Sequence, residues 1–427
     1  MWVRFKSVSA VLTFCFLFIT LTTQVHAASP TITQLSSIAA DWGTPVTITG
    51  TNFGTTQGTS TVKFNGTVAT VTSWTNTIIL VSVPTGSTTG NVVVTVGGIA
   101  SNGLLFTVLH GNIIFGSQVG EGGTFEVHDD NGVLLQTGNL SIPRGLHTAT
   151  LLTNGTIFVA GGLSDPTSWQ IFSLVNSQWQ PSSSGLLQDS LYSHFAARLT
   201  NGNVFLGGGE AAPGTWEIHS PTGALVGSGS LLGNRTPGSS AVALKNGNVW
   251  ISGSNFGKGE DCSWEIHSSN GSLVSTGALN TCRSSGKAFL LSNGDVALFG
   301  GIDSGGDYDI YTQAGTFVRN GSLINSFVAA AGGVLVNNDV FMFQEGFWEF
   351  VGLDANGNQT FDTTGSLFDN RYSSRGVATT VGNVLLTGGN TAPGTWEIWA
   401  PSGSTATLYK TGDLFDARDG GHTDTHY

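Results

Sequence analysis

Seven times along the chain an aromatic residue stands beside an acid or its amide: Phe125-Glu126, Trp169-Gln170, Trp216-Glu217, Trp264-Glu265, Tyr308-Asp309, Trp348-Glu349 and Trp396-Glu397. Carboxylates in such numbers could act as general acids and bases or ligate a metal. Five arginines, Arg144, Arg235, Arg283, Arg371 and Arg418, precede apolar runs, and His147, His194 and His422 occupy similar places, with His426 a little further on. Histidines gathered at one mouth could hold a metal. The structural reading is favoured for both sets. A feature repeated at regular intervals does not converge on one site, and the arginines are natural partners for the acids. No carboxylate or cysteine accompanies the histidines at fixed spacing, so no metal and no cofactor is expected. Asp354-Ala-Asn-Gly-Asn358 has a faint likeness to a calcium loop but lacks the downstream Glu, which makes it a turn.

The elements that must position these residues are strands. Asn-Gly turns at 154, 201, 246 and 293, with related pairs at 111, 337 and 382, divide residues 109–427 into seven units of 43 to 47 residues. A period in this range with four strand signals per unit predicts a seven-bladed β-propeller. Each unit runs through a strand such as His147-Thr-Ala-Thr-Leu-Leu152, a two-residue Asn-Gly turn and a strand ending in a glycine pair. The aromatic-acid strand and a short outer strand follow. The first unit begins at its second strand and the last residues resemble a first strand, so one blade is expected to combine both ends of the chain. Residues 28–108 alternate apolar and polar types at 45–54, 60–66 and 90–98 between Gly and Asn clusters, which predicts a small β-sandwich of about seven strands.

Composition agrees with an all-β, turn-rich, secreted protein. Gly accounts for 61 of 427 residues, about twice the ordinary share, while charged residues at 10% fall below half of it. Helical bundles and coiled coils are disfavoured by the scarcity of Lys, Glu, Arg and Met. Residues 1–27 carry Arg4 and Lys6, then an apolar run and Val25-His26-Ala27, the layout of a cleaved signal peptide and not of a membrane span. Without them 13 basic residues face 27 acidic ones, a charge of −14, which excludes nucleic acid as a partner. Cys262 and Cys282 flank one predicted hairpin and, in an oxidising compartment, are expected to form a disulfide. The alternative is a pair of free or metal-binding thiols.

Two resemblances add to this reading. VTITGTNFG, STVKFNGTVAT, VSVPTG and NGLLFTV, between residues 46 and 108, resemble the IPT/TIG immunoglobulin-like domains, which implies an extracellular spacer or adhesion module. The run Arg144…HTATLL, Asn-Gly and FVAGG resembles kelch repeats of the galactose-oxidase-like type, weakest between Asn325 and Phe350, where a glycine pair is missing after Phe343. In that family the oxidase chemistry needs copper held by two His and two Tyr, one Tyr cross-linked to a Cys. Here the two mature cysteines lie in a single unit, so the radical site looks absent.

Function is therefore expected to lie in the loops at 164–168, 210–214, 255–262, 303–307 and 390–394, which vary in length and carry Asp165, Glu210, Glu260, Asp261, Asp303 and Asp307. The expected activity is non-catalytic recognition of an extracellular glycan or protein by a monomer, with ligand contacts from Arg144, His147, His194, Glu210, Arg235, Arg371 and His422 at the channel mouth. The alternative is an extracellular carbohydrate-active enzyme.

Overall fold

The computed structural model describes residues 28–426 except 41, 85–86, 109–110, 117–122, 176–177, 254–261, 303–305, 328–331, 337, 380–381 and 419–422. At 39, 107, 334 and 423–426 it describes the backbone alone. Every regular element among the described residues is a β-strand. Short apolar runs rich in Val, Ile, Phe and Trp, cut by Gly and Asn, have no other way to satisfy their backbones while burying side chains.

Residues 31–108 form two sheets. One has the order Thr31–Leu35, Pro45–Thr51, Ile78–Ser82, Val71–Trp74; the other has Ala39–Ala40, Leu104–Val108, Gly90–Val96, Thr61–Phe64 and Thr67–Val68, with Ile99–Ala100 beside Gly90–Val96. There are ten strands where about seven are expected, because three two-residue pairings are too short to leave a sequence pattern. Alternation sends Val46, Ile48, Ile79 and Val81 from one sheet against Val62, Phe64, Val92, Val94 and Phe106 from the other.

From Gly111 onward the described strands make seven four-stranded antiparallel sheets, an arrangement compatible with a propeller. In the fourth sheet the strands run Ser240–Ala243, Val249–Ser252, Ser263–His267 and Leu273–Ala278 from inside to outside. Val249–Ser252 is buried along its whole length, since a neighbouring sheet covers each face, which explains an apolar run without alternation. The inner strands neighbour one another in the order Thr148–Leu151, Phe195–Arg198, Ser240–Ala243, Lys287–Leu290, Gly332–Val336, Arg375–Ala378 and Thr423–His426, and the last lies beside the first. Thr423–His426 also pairs antiparallel with Gly111–Phe115, Asn112 opposite His426 and Phe115 opposite Thr423. One sheet is thus built from the first and last described strands of the repeat region, which leaves Gly111–Phe115 no bare edge.

The Asn-Gly turns differ from the two-residue type. Leu152 N–H donates to Thr156 O and Gly155 N–H to Leu152 O, and Gly155 alone takes a left-handed φ of 80°. The loop is one residue longer, a turn followed by a glycine bulge. Asn154 accepts from the Thr156 amide through Oδ1 at 3.1 Å, which is why Asn precedes the glycine. The sixth sheet is complete despite its missing glycine pair: Glu345 adopts φ 46° before Gly346 at 87°, holding the bend that Gly161 and Gly162 make in the second sheet. Cys262 and Cys282 form a disulfide across the hairpin Ser263–His267 and Leu273–Ala278.

Candidate functional site

The repeated acids are fully buried, and each sits in a polar centre near the entry of its sheet. In the seventh sheet Arg371 Nε donates to Glu397 Oε1 at 2.6 Å, and its Nη1 donates to the carbonyls of Gly388 and Thr395, both at 2.9 Å. Glu397 also accepts from the amides of Phe368 and Asp369 and from Trp399 Nε1. Equivalent pairs are Arg235 with Glu265 at 2.8 Å, Arg283 with Asp309 at 3.1 Å and Arg418 with Glu126 at 3.0 Å.

The same arginines stitch neighbouring sheets. The amides of Gly209, Glu345 and Gly389, at the bends ending second strands, donate to the carbonyls of Arg235, Arg371 and Arg418 in the following sheet. Each arginine therefore takes a backbone bond from the sheet before it and gives its guanidinium to its own. The carboxylates complete the link by accepting from the incoming chain: Leu232 N–H to Glu265, Phe368 N–H to Glu397 and Phe415 N–H to Glu126. His128, His219 and His267, two residues after the acids, hold them through Nε2 at 2.8 Å. Sequence analysis singled out none of these histidines; their spacing of two from the acids, which places both side chains on one face, was the available signal. Burial pushes the Glu126 carboxyl up, but the His128 hydrogen bond, the Arg418 charge and the Phe415 amide outweigh it and hold it below the usual carboxylate value. The resulting stability is present above the unfolded carboxylate range and is lost as pH falls.

Three sheets depart from the pattern. Gln170 stands in place of the acid, so the buried Arg144 has no carboxylate on Nε; its charge meets Asp165 through Ser168, whose hydroxyl accepts from Nη2 and donates to Asp165, both at 2.5 Å. Leu191 replaces the arginine opposite Glu217, whose Oε1 has no hydrogen-bond partner among the described residues. In the sixth sheet Phe327 replaces the arginine, and Asp362 on the outer strand shares a hydrogen bond with Glu349. Burial, with the Glu349 charge, pushes the Asp362 carboxyl up to about 7. A raised acid favours folding below its unfolded pKa, and that contribution fades as pH rises from about 4 to 7. Asp362→Asn is expected to be more stable than the parent at pH 8 and to lose that advantage at pH 4; melting temperatures of both proteins across this range test it, and parallel curves would contradict it.

The expected ligand residues are placed as follows. Arg144, Arg235 and Arg371 do not open onto a channel mouth: they are at most 1% exposed, because their forked donors satisfy sheet-end carbonyls that no strand pairs. His147 and His194 are also buried, beside Arg144 at the Gly161-Gly162 bend. His194 Nε2 bonds the Thr148 hydroxyl at 2.9 Å, and burial together with the Arg144 charge holds the ring down to about 3, so it is neutral. Glu210 is exposed, at the bend whose amide donates to Tyr192 O. Arg371 belongs to the seventh sheet, away from the second and third. His422, Glu260, Asp261 and Asp303 lie outside the described residues, as does the signal segment. Asp354 forms a turn, accepting through Oδ1 from the amides of Asn356 and Asn358 at 2.8 Å. Sequence reasoning missed an axial cavity of about 560 Å³ lined by Ala149, Leu151, Ala197, Arg198, Ala243 and Leu290, toward the Asn-Gly ends of the inner strands. Small side chains on successive inner strands were its only signal.

Residues 30–108 match the IPT/TIG domain family. No curated protein sequence matches the chain. Among solved structures, a protein from Lactobacillus plantarum is similar at 13% identity, with 74% of this chain and 99% of that one covered and a TM-score of 0.55. A functionally unknown protein from Desulfotomaculum acetoxidans gives 11%, 74%, 99% and 0.56. A fungal alcohol oxidase of the AA5 family, in complex with copper, gives 15%, 74%, 86% and 0.51. At these identities the likeness shows a shared fold alone.

Proposed function

We propose that the chain is a secreted or cell-surface binding protein without catalytic activity, a seven-bladed kelch-type propeller carried on an immunoglobulin-like IPT/TIG spacer. The observation that carries this reading is the fate of the reactive residues. The buried arginines, repeated acids and strand histidines are bonded into sheet ends, whereas Glu210 stands exposed on a loop beside them. A frame with its chemistry used for stitching and its variable loops outside suits recognition. The disulfide fits an oxidising compartment. The ligand is an extracellular glycan or protein, met on the loop side near Glu210 and His194.

A glycan array with the processed chain, combined with metal analysis, tests the reading. For a glycan found there, Glu210→Gln is expected to weaken binding about tenfold, the loss of one charge-assisted hydrogen bond, with unchanged melting. Gly202→Ala, forced into a φ of 89°, is expected to cost about 1–2 kcal/mol of stability and leave binding intact. Full affinity in Glu210→Gln together with loss in Arg198→Gln would move the ligand to the axial cavity. Turnover of a carbohydrate, or a stoichiometric metal, would favour the enzyme.

A further inference from the structure

The axial cavity of about 560 Å³ falls within the range of about 300–1,000 Å³ that small-molecule sites occupy. Strand register shows what surrounds it. Leu151, Arg198, Ala243, Leu290, Leu335 and Ala378 each pair with the first apolar residue of a buried second strand: Ile157, Val204, Val249, Val296, Val340 and Val384. These residues therefore stand at one level of the axis, and the backbone of His426, opposite Asn112, holds the remaining place. Where the other inner strands named carry Leu or Ala, the third sheet carries Arg198, and it does so at the wall of the cavity.

Arg198 is exposed and donates from Nη1 to Leu151 O, 2.9 Å away on the neighbouring inner strand. That bond holds the guanidinium across the gap between the two strands and uses one of its five N–H donors. Among the described residues no carboxylate pairs with it, in contrast to Arg235, Arg371 and Arg418.

The backbone supplies a second feature. Each inner strand pairs with a second strand on one side alone, so its other edge turns amide and carbonyl groups toward the axis. Beside these edges the lining side chains are mostly apolar and small, Ala149, Ala197 and Ala243 among them. Open strand edge next to small apolar side chains suits a ligand with amide groups and apolar side chains of its own. The strand Phe195–Arg198 offers about 13 Å of edge, at about 3.3 Å per residue, which matches a peptide of similar length. An arginine at the end of that edge suits a terminal carboxylate, because the planar fork binds it through two parallel bonds.

The geometry points to an axial site for the C-terminal carboxylate of a short apolar peptide, or for an acylated amino acid of the same chemistry, with Arg198 as its anchor. Arg198 faces the start of Val204–Gly207, whereas Glu210 follows the end of that strand. The site is independent of whether the outer loops bind a glycan.

Calorimetric titration of the full chain with the N-acetylated tetrapeptide Ala-Val-Ala-Leu and with N-acetylleucine, each as the carboxylate and as the C-terminal amide, tests it. At least one of the two carboxylates is expected to bind saturably at one per chain, and its amide at least tenfold more weakly. Arg198→Gln is expected to weaken the carboxylate tenfold or more and to abolish the preference over the amide. If that variant does not fold, the comparison of carboxylate with amide on the parent serves as the test. Lys63→Gln, an exposed control in the sandwich, should bind like the parent. Saturation by N-acetylleucine alone assigns the site to a free acylated amino acid; saturation by the tetrapeptide assigns it to a peptide terminus. Absence of saturable binding by both carboxylates, equal affinity for carboxylate and amide, or parental affinity in Arg198→Gln would overturn the site.

Discussion

Removal of residues 420–427 is expected to lower the melting temperature of the sheet-repeat region by more than about 10 °C. The deletion takes away Thr423–His426, which pairs with Gly111–Phe115 and lies beside both Thr148–Leu151 and Arg375–Ala378. Ile113, Ile114 and Phe115, none of them exposed in the intact chain, would then flank an open edge. Uncovering even two such side chains costs about 3–6 kcal/mol. In a domain of this size each kcal/mol corresponds to roughly 2–4 °C. The bare strand would also be free to pair with another molecule, so association is expected alongside the lower transition. Calorimetry with light scattering on both forms checks this. An unchanged transition would mean that the last strand is an appendage and the sheets are held without it.

The second large effect concerns the buried ion pairs. Glu397→Gln should cost about 3–5 kcal/mol, since Arg371 would keep its charge in a buried site while losing its closest acceptor. Asp369, 3.1 Å from Arg371, is the reason the loss is not larger. Gln170→Glu should act in the opposite direction. Arg144 Nε and Gln170 Oε1 both lack partners, so a carboxylate at 170 would give the second sheet the centre that the seventh has. A gain of about 1–2 kcal/mol is expected from one charge-assisted bond. Urea denaturation of the two variants measures both signs. A neutral Glu397→Gln would leave the conserved geometry of these centres without energetic meaning.

Repetition is what made the architecture legible. The recurring turns, bends and aromatic-acid pairs fixed the number and order of strands from Gly111 on, and the pairing of acids with arginines followed from their recurrence. Position relative to solvent was less legible. Arg144, Arg235 and Arg371 look like channel residues because they precede inner strands, yet the carbonyls that draw them inward belong to glycines 17 or 18 residues later in sequence. The Asn-Gly turns were misjudged by one residue because the dipeptide suits both a tight turn and a glycine bulge.

The central claim is that the repeated arginines and acids build and close the frame. Glu126 and Arg418 test it most directly, since they are 292 residues apart in sequence and join the first described strands of the repeat region to its end. A double-mutant cycle with Glu126→Gln, Arg418→Met and the double variant, read by urea denaturation of the full chain, is predicted to give a coupling energy of about 2–3 kcal/mol. Effects that add to within about 0.5 kcal/mol would contradict the claim.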